Sequence, residues 1–348
     1  MRTTQIAFPT LVRVKDGALE RVGIYLRRCQ MDMVVVMQSE GLAASLPSRL
    51  GESLKGQAIE VKAWNDVVDN SFEDAVRSYS ELPKQATAVV GLGGGKAIDV
   101  AKYVATLARL PFFAVPTSLS NDGFSSPQSS LTMQGKRRSL PASIPFGVAI
   151  DTEVCRQAPK SLTLSGVGDL VAKFTAVRDW KLAFHANGTL VNDFAALLSD
   201  GSVHAFLSHP KFDAEGMRLL ATALLMNGIA MEMSGSSRPA SGSEHLISHA
   251  LDQISQRPRL HGLQVGVASY LVSLLQEAHA EQIASLFEVT GFWDQIAEDP
   301  FSRDEWLEAV RIAPSLKEGY YTILSSRDVM KDVEQYLMAD PYLRRCIT

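Results

Sequence analysis

Three side chains of metal-ligating type, Asp169, His245 and His261, stand in distinctive settings: Gly166-Val167-Gly168-Asp169, Ser241-Gly242-Ser243-Glu244-His245 and His261-Gly262-Leu263-Gln264-Val265-Gly266. One carboxylate oxygen and two imidazoles suit zinc, nickel or ferrous iron, and three protein ligands leave coordination positions open for a substrate oxygen. Singly, each residue is ordinary, since buried histidines and helix-capping aspartates are common; the reading rests on the three together. His249 follows His245 at i, i+4, so both imidazoles share one helix face. That makes His249 a group that touches substrate or relays a proton, a second metal ligand, or a core histidine satisfied by its neighbours. Glu244 reads as a partner of the adjacent ligand or a surface group. Lys173, four residues after Asp169, reads as an orienting group for that carboxylate or a solvated helix lysine.

A glycine-rich turn precedes these residues. The apolar run Ala86 to Val90 feeds Gly91-Leu92-Gly93-Gly94-Gly95-Lys96, and Ala97 to Tyr103 then has helical periodicity. Glycines let the backbone approach a ligand closely, so amides at such a helix start can cradle a pyrophosphate. The segment fits neither standard phosphate motif. A Walker loop needs Ser or Thr where Ala97 stands, and the dinucleotide fingerprint needs Gly where Lys96 stands. A plain strand-to-helix turn is the alternative. Downstream, the strand-like Pro111 to Val115 runs into Pro116-Thr117-Ser118-Leu119-Ser120-Asn121-Asp122-Gly123-Phe124-Ser125-Ser126-Pro127. This is either a solvated loop or a set of hydroxyls for a nucleotide, with Asp122 able to hold a substrate hydroxyl.

With these segments in order, the chain resembles the glycerol-1-phosphate dehydrogenase family, within the iron-containing alcohol dehydrogenase and dehydroquinate synthase-like superfamily. The resemblance rests on GGGKAIDVAKY at 93 to 103, PTSLSNDGFSSP at 116 to 127, AIDTEV at 149 to 154, SGVGDLVAKFTAVRDWKLA at 165 to 183, RPASGSEHLISHALD at 238 to 252, HGLQVG at 261 to 266 and Tyr321-Thr322-Ile323-Leu324. It implies NAD or NADP contacts from Gly93, Gly94, Gly95, Lys96, Ala97, Thr117, Ser118, Leu119, Ser120 and Ser126. It implies substrate contacts from Asp122 and His249, and one divalent metal, zinc ahead of nickel or iron, on Asp169, His245 and His261. The implied activity interconverts dihydroxyacetone phosphate and sn-glycerol 1-phosphate, a step of phospholipid biosynthesis. The alternatives are a related polyol or glycerol dehydrogenase and a cyclase of the dehydroquinate synthase kind with bound NAD. Two departures bear on the substrate: Leu263 stands where the family usually has Glu, and Lys317-Glu318-Gly319-Tyr320-Tyr321 lacks the arginines usual before Tyr-Thr. Lys136, Arg137 and Arg138 either compensate or cap an exposed hairpin after Gly135.

Composition sets the frame. The 348 residues suit two domains, and 46% hydrophobic with 21% charged residues is ordinary for a globular protein. A net charge of -4 gives no electrostatic case for nucleic acid or an anionic membrane. Met1 to Val14 lacks an apolar signal core, and Leu219 to Met233 is interrupted by Asn227 and Glu232, so a cytoplasmic protein without membrane spans is expected. Cys29, Cys155 and Cys346 are odd in number and scattered, which argues for reduced thiols. A homo-oligomer acting on a small phosphorylated triose or polyol is expected.

Periodicity divides the chain. Met33 to Met37, Ala58 to Ala63, Ala86 to Val90, Phe112 to Val115 and Gly147 to Asp151 read as strands alternating with helices. That predicts an α/β nucleotide-binding domain with a mostly parallel sheet over 1–158. Amphipathic helical patterns at 166–186, 215–234, 241–255, 262–277, 280–291, 303–313 and 327–338 predict an all-α metal and substrate domain over 159–348. The strand ending at Met37 is followed by Gln38 and Ser39, with no carboxylate there to exclude a 2'-phosphate, so NADP is permitted beside NAD.

Overall fold

The computed structural model describes residues 6–348, so the first five residues of the segment Met1 to Val14, read above as lacking an apolar signal core, lie outside it. The described chain forms two compact units. One holds the residues up to Ala158 together with Phe212–Glu232; the other holds Pro159–Lys211 and Met233–Thr348.

The first unit is built on strands β1 (Leu11–Lys15), β2 (Met33–Ser39), β3 (Glu60–Val67), β4 (Ala88–Gly93), β5 (Phe112–Pro116), β6 (Gln128–Met133), β7 (Lys136–Pro141) and β8 (Gly147–Asp151). Helices α1 (Val22–Arg28), α2 (Ser45–Lys55), α3 (Phe72–Ser80), α4 (Gly95–Ala108) and α5 (Thr152–Gln157) alternate with them. Six strands form a parallel sheet in the order β1-β8-β5-β4-β2-β3. Its central strands are buried along their length: Val34–Val36, Ala88–Leu92, Phe112–Val115 and Val148–Ile150 are continuous apolar or small runs, as a sheet covered on both faces requires. β6 and β7 form a separate antiparallel hairpin turning at Gln134 and Gly135, both at positive φ, and Lys136, Arg137 and Arg138 are exposed on it.

Strand order fixes where a ligand can sit. From β2 the chain steps outward to β3, then crosses back to β4 and continues through β5 toward β8. Neighbouring crossovers therefore leave in opposite directions at β2 and β4, opening a crevice at the carboxyl ends of those two strands. Register places Gln38 beside Leu92 and Gly93 beside Pro116, so the ends of β2, β4 and β5 line up. β2 runs two residues past its expected end, pairing Gln38 and Ser39 with Asp66 and Val67 of β3. β1 was not among the expected strands; its short run packs beside β8 at the sheet edge.

The second unit is helical: α6 (Lys160–Asn187), α7 (Asp193–Leu207), then, after α8 (Ala214–Ser234), whose residues up to Glu232 belong to the first unit, α9 (Ser243–Ile254), α10 (His261–Leu275), α11 (Ala280–Thr290), α12 (Phe292–Ala297), α13 (Arg303–Ile312), α14 (Ile323–Ser326), α15 (Met330–Ala339) and α16 (Pro341–Cys346). α7 was not expected, and the amphipathic reading of α6 and α10 is corrected. Residues 163–177 of α6 and 262–273 of α10 are buried without a break, so over these spans both helices run through the interior with no solvent-exposed face. Among the described residues no helix is long and apolar enough to cross a membrane. Cys29 is half-buried, Cys155 and Cys346 are buried, and all three thiols are free.

Candidate functional site

Asp169, His245 and His261 converge inside the second unit. Each offers one ligand atom, and those atoms lie within 4.8 Å of one another. Asp169 projects from the middle of α6, His245 from the first turn of α9 and His261 from the start of α10. Glycine contact between α6 and α10 brings them together. A Cβ at Gly168 would stand 2.0 Å from the Gly262 carbonyl oxygen, and one at Gly262 would stand 1.8 Å from that of Ser165. A Cβ at Gly266 would meet the Phe292 ring at 2.5 Å and Gly168 Cα at 2.9 Å. The glycines flanking the ligands are thus the surface along which the two backbones touch, one residue from Asp169 and one from His261.

Buried partners fix the orientation of both imidazoles. His245 Nδ1 lies 2.9 Å from Glu244 Oε1, which leaves Nε2 facing Asp169 Oδ1 at 3.5 Å. His261 Nδ1 lies 3.2 Å from Ser248 Oγ, and that hydroxyl also accepts from Gln264 Nε2 at 3.0 Å. Glu244 is wholly buried and accepts from Thr175 Oγ1 at 2.8 Å. Behind it Asp179, also wholly buried, accepts from the amides of Ser243 at 2.8 Å and Ile323 at 2.9 Å. Of the two readings of Glu244, the buried partner holds. Lys173 is likewise no solvated lysine: it is wholly buried, and its Nζ donates to the Asp169 carbonyl at 2.7 Å and to Oδ1 at 3.2 Å.

These contacts set the charges. Burial alone would push the Asp169 carboxyl up, but the Lys173 ammonium and the two imidazoles hold it well below the usual carboxylate range. Burial opposes charge on His245, and the Asp169 and Glu244 carboxylates outweigh it, raising its pKa. Burial and the neighbouring Glu244 charge push Asp179 up to about 6. The donor set passes a test of fit for a cation. Two ligand atoms each about 2.0–2.2 Å from a tetrahedral zinc stand about 3.4 Å apart, close to the spacing found between Asp169 Oδ1 and His245 Nε2. His249, half-buried one turn beyond His245, stands apart from this set, with its ring 6.4 Å from that of His245 and 6.0 Å from that of His261.

Two cations stand against Tyr320 and Tyr321. The buried Arg238 donates to the Tyr321 carbonyl at 2.6 Å and stacks over the Tyr320 ring at 3.6 Å. Lys317 Nζ lies 3.7 Å from the same ring, and desolvation together with Arg238 brings its pKa down to about 8. Tyr320 in turn donates to the Ser241 carbonyl at 2.6 Å.

In the first unit, Gly93 has φ +139°, and a Cβ there would overlap Ser39 Oγ at 2.2 Å. Ser39 Oγ accepts from the Gly94 amide at 3.0 Å. α4 then begins at Gly95, and helix geometry leaves the amides of Gly95, Lys96 and Ala97 without an acceptor in the helix. Gly94 has nothing within 4 Å of where its Cβ would be, so the space over the turn is open. Thr117, Ser118, Leu119 and Ser120 follow β5, tied to the turn by the Thr117 amide donating to the Gly93 carbonyl at 3.0 Å. Ser118, Leu119 and Ser126 are buried, and Ser126 Oγ accepts from the Gln128 amide at 3.1 Å. Asp122 opens a short 3-10 turn, Asp122–Phe124.

One residue there escaped the sequence reading. Lys102 is wholly buried on α4, with Nζ donating to the Gly123 carbonyl at 2.6 Å and lying 3.3 Å from Asp99 Oδ1. Burial pushes Asp99 up and Lys102 down, and each charge resists the other's loss. A Lys and an Asp at i, i+3 inside the apolar stripe of Ala97, Ile98, Ala101, Val104 and Ala105 were the available signal.

The sequence model of the iron-containing alcohol dehydrogenases matches residues 13–159. The chain is 34% identical to the glycerol-1-phosphate dehydrogenase (NAD(P)+) of Aeropyrum pernix over 96% of each chain. It is 34% identical to that of Methanothermobacter thermautotrophicus over 97% of this chain and 98% of the relative. Among solved structures, glycerol dehydrogenase from Schizosaccharomyces pombe superposes with TM-score 0.75 over 97% of this chain and 92% of that one, at 19% identity. That last likeness speaks for the fold alone.

Proposed function

The chain belongs to the glycerol-1-phosphate dehydrogenase family of the iron-containing alcohol dehydrogenases, and from that premise we propose that it reduces dihydroxyacetone phosphate to sn-glycerol 1-phosphate, and the reverse, with NAD(P)(H) and one divalent metal. The observation that carries the reading is the convergence of Asp169, His245 and His261, each held by its own buried partner. These three residues would hold the metal, and nitrogen with oxygen donors at tetrahedral spacing favours zinc. When bound, the metal supplies Lewis acidity toward the substrate's C2 oxygen and the nicotinamide supplies the hydride.

The chain's own residues do the rest. The amides of Gly95, Lys96 and Ala97 bind the pyrophosphate, with Gly93 and Gly94 leaving room for it. Thr117, Ser118, Leu119, Ser120 and Ser126 contribute further nucleotide contacts. Asp122 accepts from a substrate hydroxyl, with Lys102 holding its turn in place. His249 gives the proton that the C2 oxygen needs after reduction; its position outside the ligand set supports this role over ligation. Arg238 and Lys317, both against Tyr320, support a phosphorylated substrate over a neutral polyol, because a phosphomonoester needs positive charge near it. Residues 1–158 serve as the nucleotide domain and 159–348 as the metal and substrate domain, with 212–232 contributing to the former. A cytoplasmic homo-oligomer completes the proposal, supported by the exposed apolar side chains Phe184, Leu190, Phe194 and Leu197.

The test is to incubate the zinc-loaded protein with NADH or NADPH and either dihydroxyacetone phosphate or dihydroxyacetone. Loss of nicotinamide absorbance with the phosphorylated ketone, and a product of sn-1 configuration, is the expected outcome. Oxidation with unphosphorylated dihydroxyacetone alone would overturn the substrate assignment.

A further inference from the structure

The crevice at the ends of β2 and β4 contains a cavity of about 330 Å³ whose lining includes Ser39, Glu40, Val67, Val68, Gly94 and Lys96. These residues come from three adjacent strand ends, β4, β2 and β3. Strands lie about 4.8 Å apart, so the three ends span roughly 10 Å, enough for pyrophosphate, adenosine ribose and base in that order. The helix start after β4 takes the pyrophosphate, and the ribose then falls at the end of β2.

What β2 presents there differs from the expectation, because the strand continues to Ser39. Gln38 is committed: its Oε1 accepts from Trp64 Nε1 at 2.6 Å and its Nε2 donates to Asp66 Oδ1 at 2.7 Å. Ser39 Oγ is committed to the Gly94 amide. Glu40 is the first residue past the strand, its amide donating to the Val67 carbonyl at 3.3 Å. Its exposed carboxylate makes no hydrogen bond or ion pair with any described residue. Among the described residues no arginine lines the cavity and Lys96 is the cation that does, acting also on the nearby Asp69 carboxylate, whose pKa it helps to lower.

We infer that Glu40 sets the cofactor specificity of this chain, accepting the adenosine ribose hydroxyls of NAD(H) and repelling the 2'-phosphate of NADP(H). A carboxylate at a strand end gains hydrogen bonds from a vicinal diol, whereas a phosphomonoester there places like charges together. Lys96 lies at the first turn of α4, on the pyrophosphate side, and attracts both dinucleotides alike. The inference rests on the dehydrogenase reading and names which nicotinamide cofactor that reading uses.

Binding measures it without turnover. NADH and NADPH are titrated by fluorescence, and ADP-ribose and its 2'-phosphate by calorimetry, against the natural chain, Glu40→Gln, Glu40→Ala and Lys96→Ala. The natural chain should bind NADH and ADP-ribose at least roughly tenfold more tightly than their 2'-phosphorylated counterparts. Both Glu40 variants should shrink that ratio, mainly by gaining affinity for the 2'-phosphates, while Lys96→Ala should weaken all four ligands by similar factors. Equal affinities in the natural chain, a preference for NADPH, or a ratio unmoved by Glu40→Gln would overturn the inference while leaving a dehydrogenase that accepts either cofactor. Failure of all four ligands to bind would remove the dehydrogenase reading together with it.

Discussion

A metal ligand and a proton donor one helical turn apart can be told apart by what survives their loss. His261→Ala removes one of three donors from a site with none to spare, so elemental analysis should find the protein essentially metal-free. Full occupancy in that variant would refute the ligand set. His249→Asn should keep the metal and the affinity for nicotinamide, yet lower turnover by about a hundredfold or more, the usual scale for a positioned acid-base group. Loss of metal in that variant would reassign His249 as a ligand, and unchanged turnover would exclude the catalytic role. The same logic explains Glu244 and Ser248: each holds a ligand's Nδ1, so that Nε2 of His245 is aimed before any cation arrives.

Elements deliver those residues through backbone contacts that only glycine permits. Gly168→Ala would drive a methyl group into the Gly262 carbonyl, forcing α6 and α10 apart. Overpacking of this kind costs about 1–3 kcal/mol, and here it also separates Asp169 from His261. Urea unfolding should register the first effect and zinc affinity the second; a stable variant with natural zinc affinity would show that the helices tolerate the shift. Gly94→Val is the opposite case, since its Cβ meets nothing and φ is -81°. That variant should fold with natural stability and metal content but bind nicotinamide dinucleotides poorly, because its side chain fills the space a pyrophosphate needs. Natural cofactor affinity there would reduce the turn to a structural role.

At the scale of the whole molecule, the buried carboxylates make stability depend on pH with opposing signs. Asp179 has a folded pKa of about 6, above the ordinary carboxylate value near 3.9, so the folded state holds its proton more tightly than the unfolded chain. Its cost is absent below about pH 4, grows as pH rises, and is fully present above about pH 6, on the order of 2–3 kcal/mol. Asp169 runs the other way: its depressed pKa contributes stability that is lost as the protein is acidified. Stability of the metal-free protein, followed by urea unfolding between pH 4.5 and 7, should therefore carry a downward component with rising pH that Asp179→Asn reduces. An identical pH slope in the variant would show that Asp179 is not the group responsible.

The local chemistry of both sites is readable along the chain because it depends on residue type and short spacing. A strand, three glycines and a helix make an anion-binding turn wherever they occur, and Asp169, His245 and His261 are ligand types in settings that a family resemblance connects. The hairpin after Gly135 and most helices of the second unit follow from the same local signals. Other features depend on what lies across from a residue. Lys102, Glu244 and Asp179 have the composition of surface positions, yet all are buried, because each meets a partner from a turn or helix that its own neighbours do not specify; Lys173 is buried too, though its partner Asp169 lies one turn back on the same helix and is legible from spacing. Likewise, α6 and α10 are buried on every side over 163–177 and 262–273, and only their mutual contact reveals that the glycines beside the ligands serve packing as well as chemistry. The two added residues of β2, which bring Glu40 to the cavity, were decided by pairing with β3, an interaction that periodicity within a single segment does not contain.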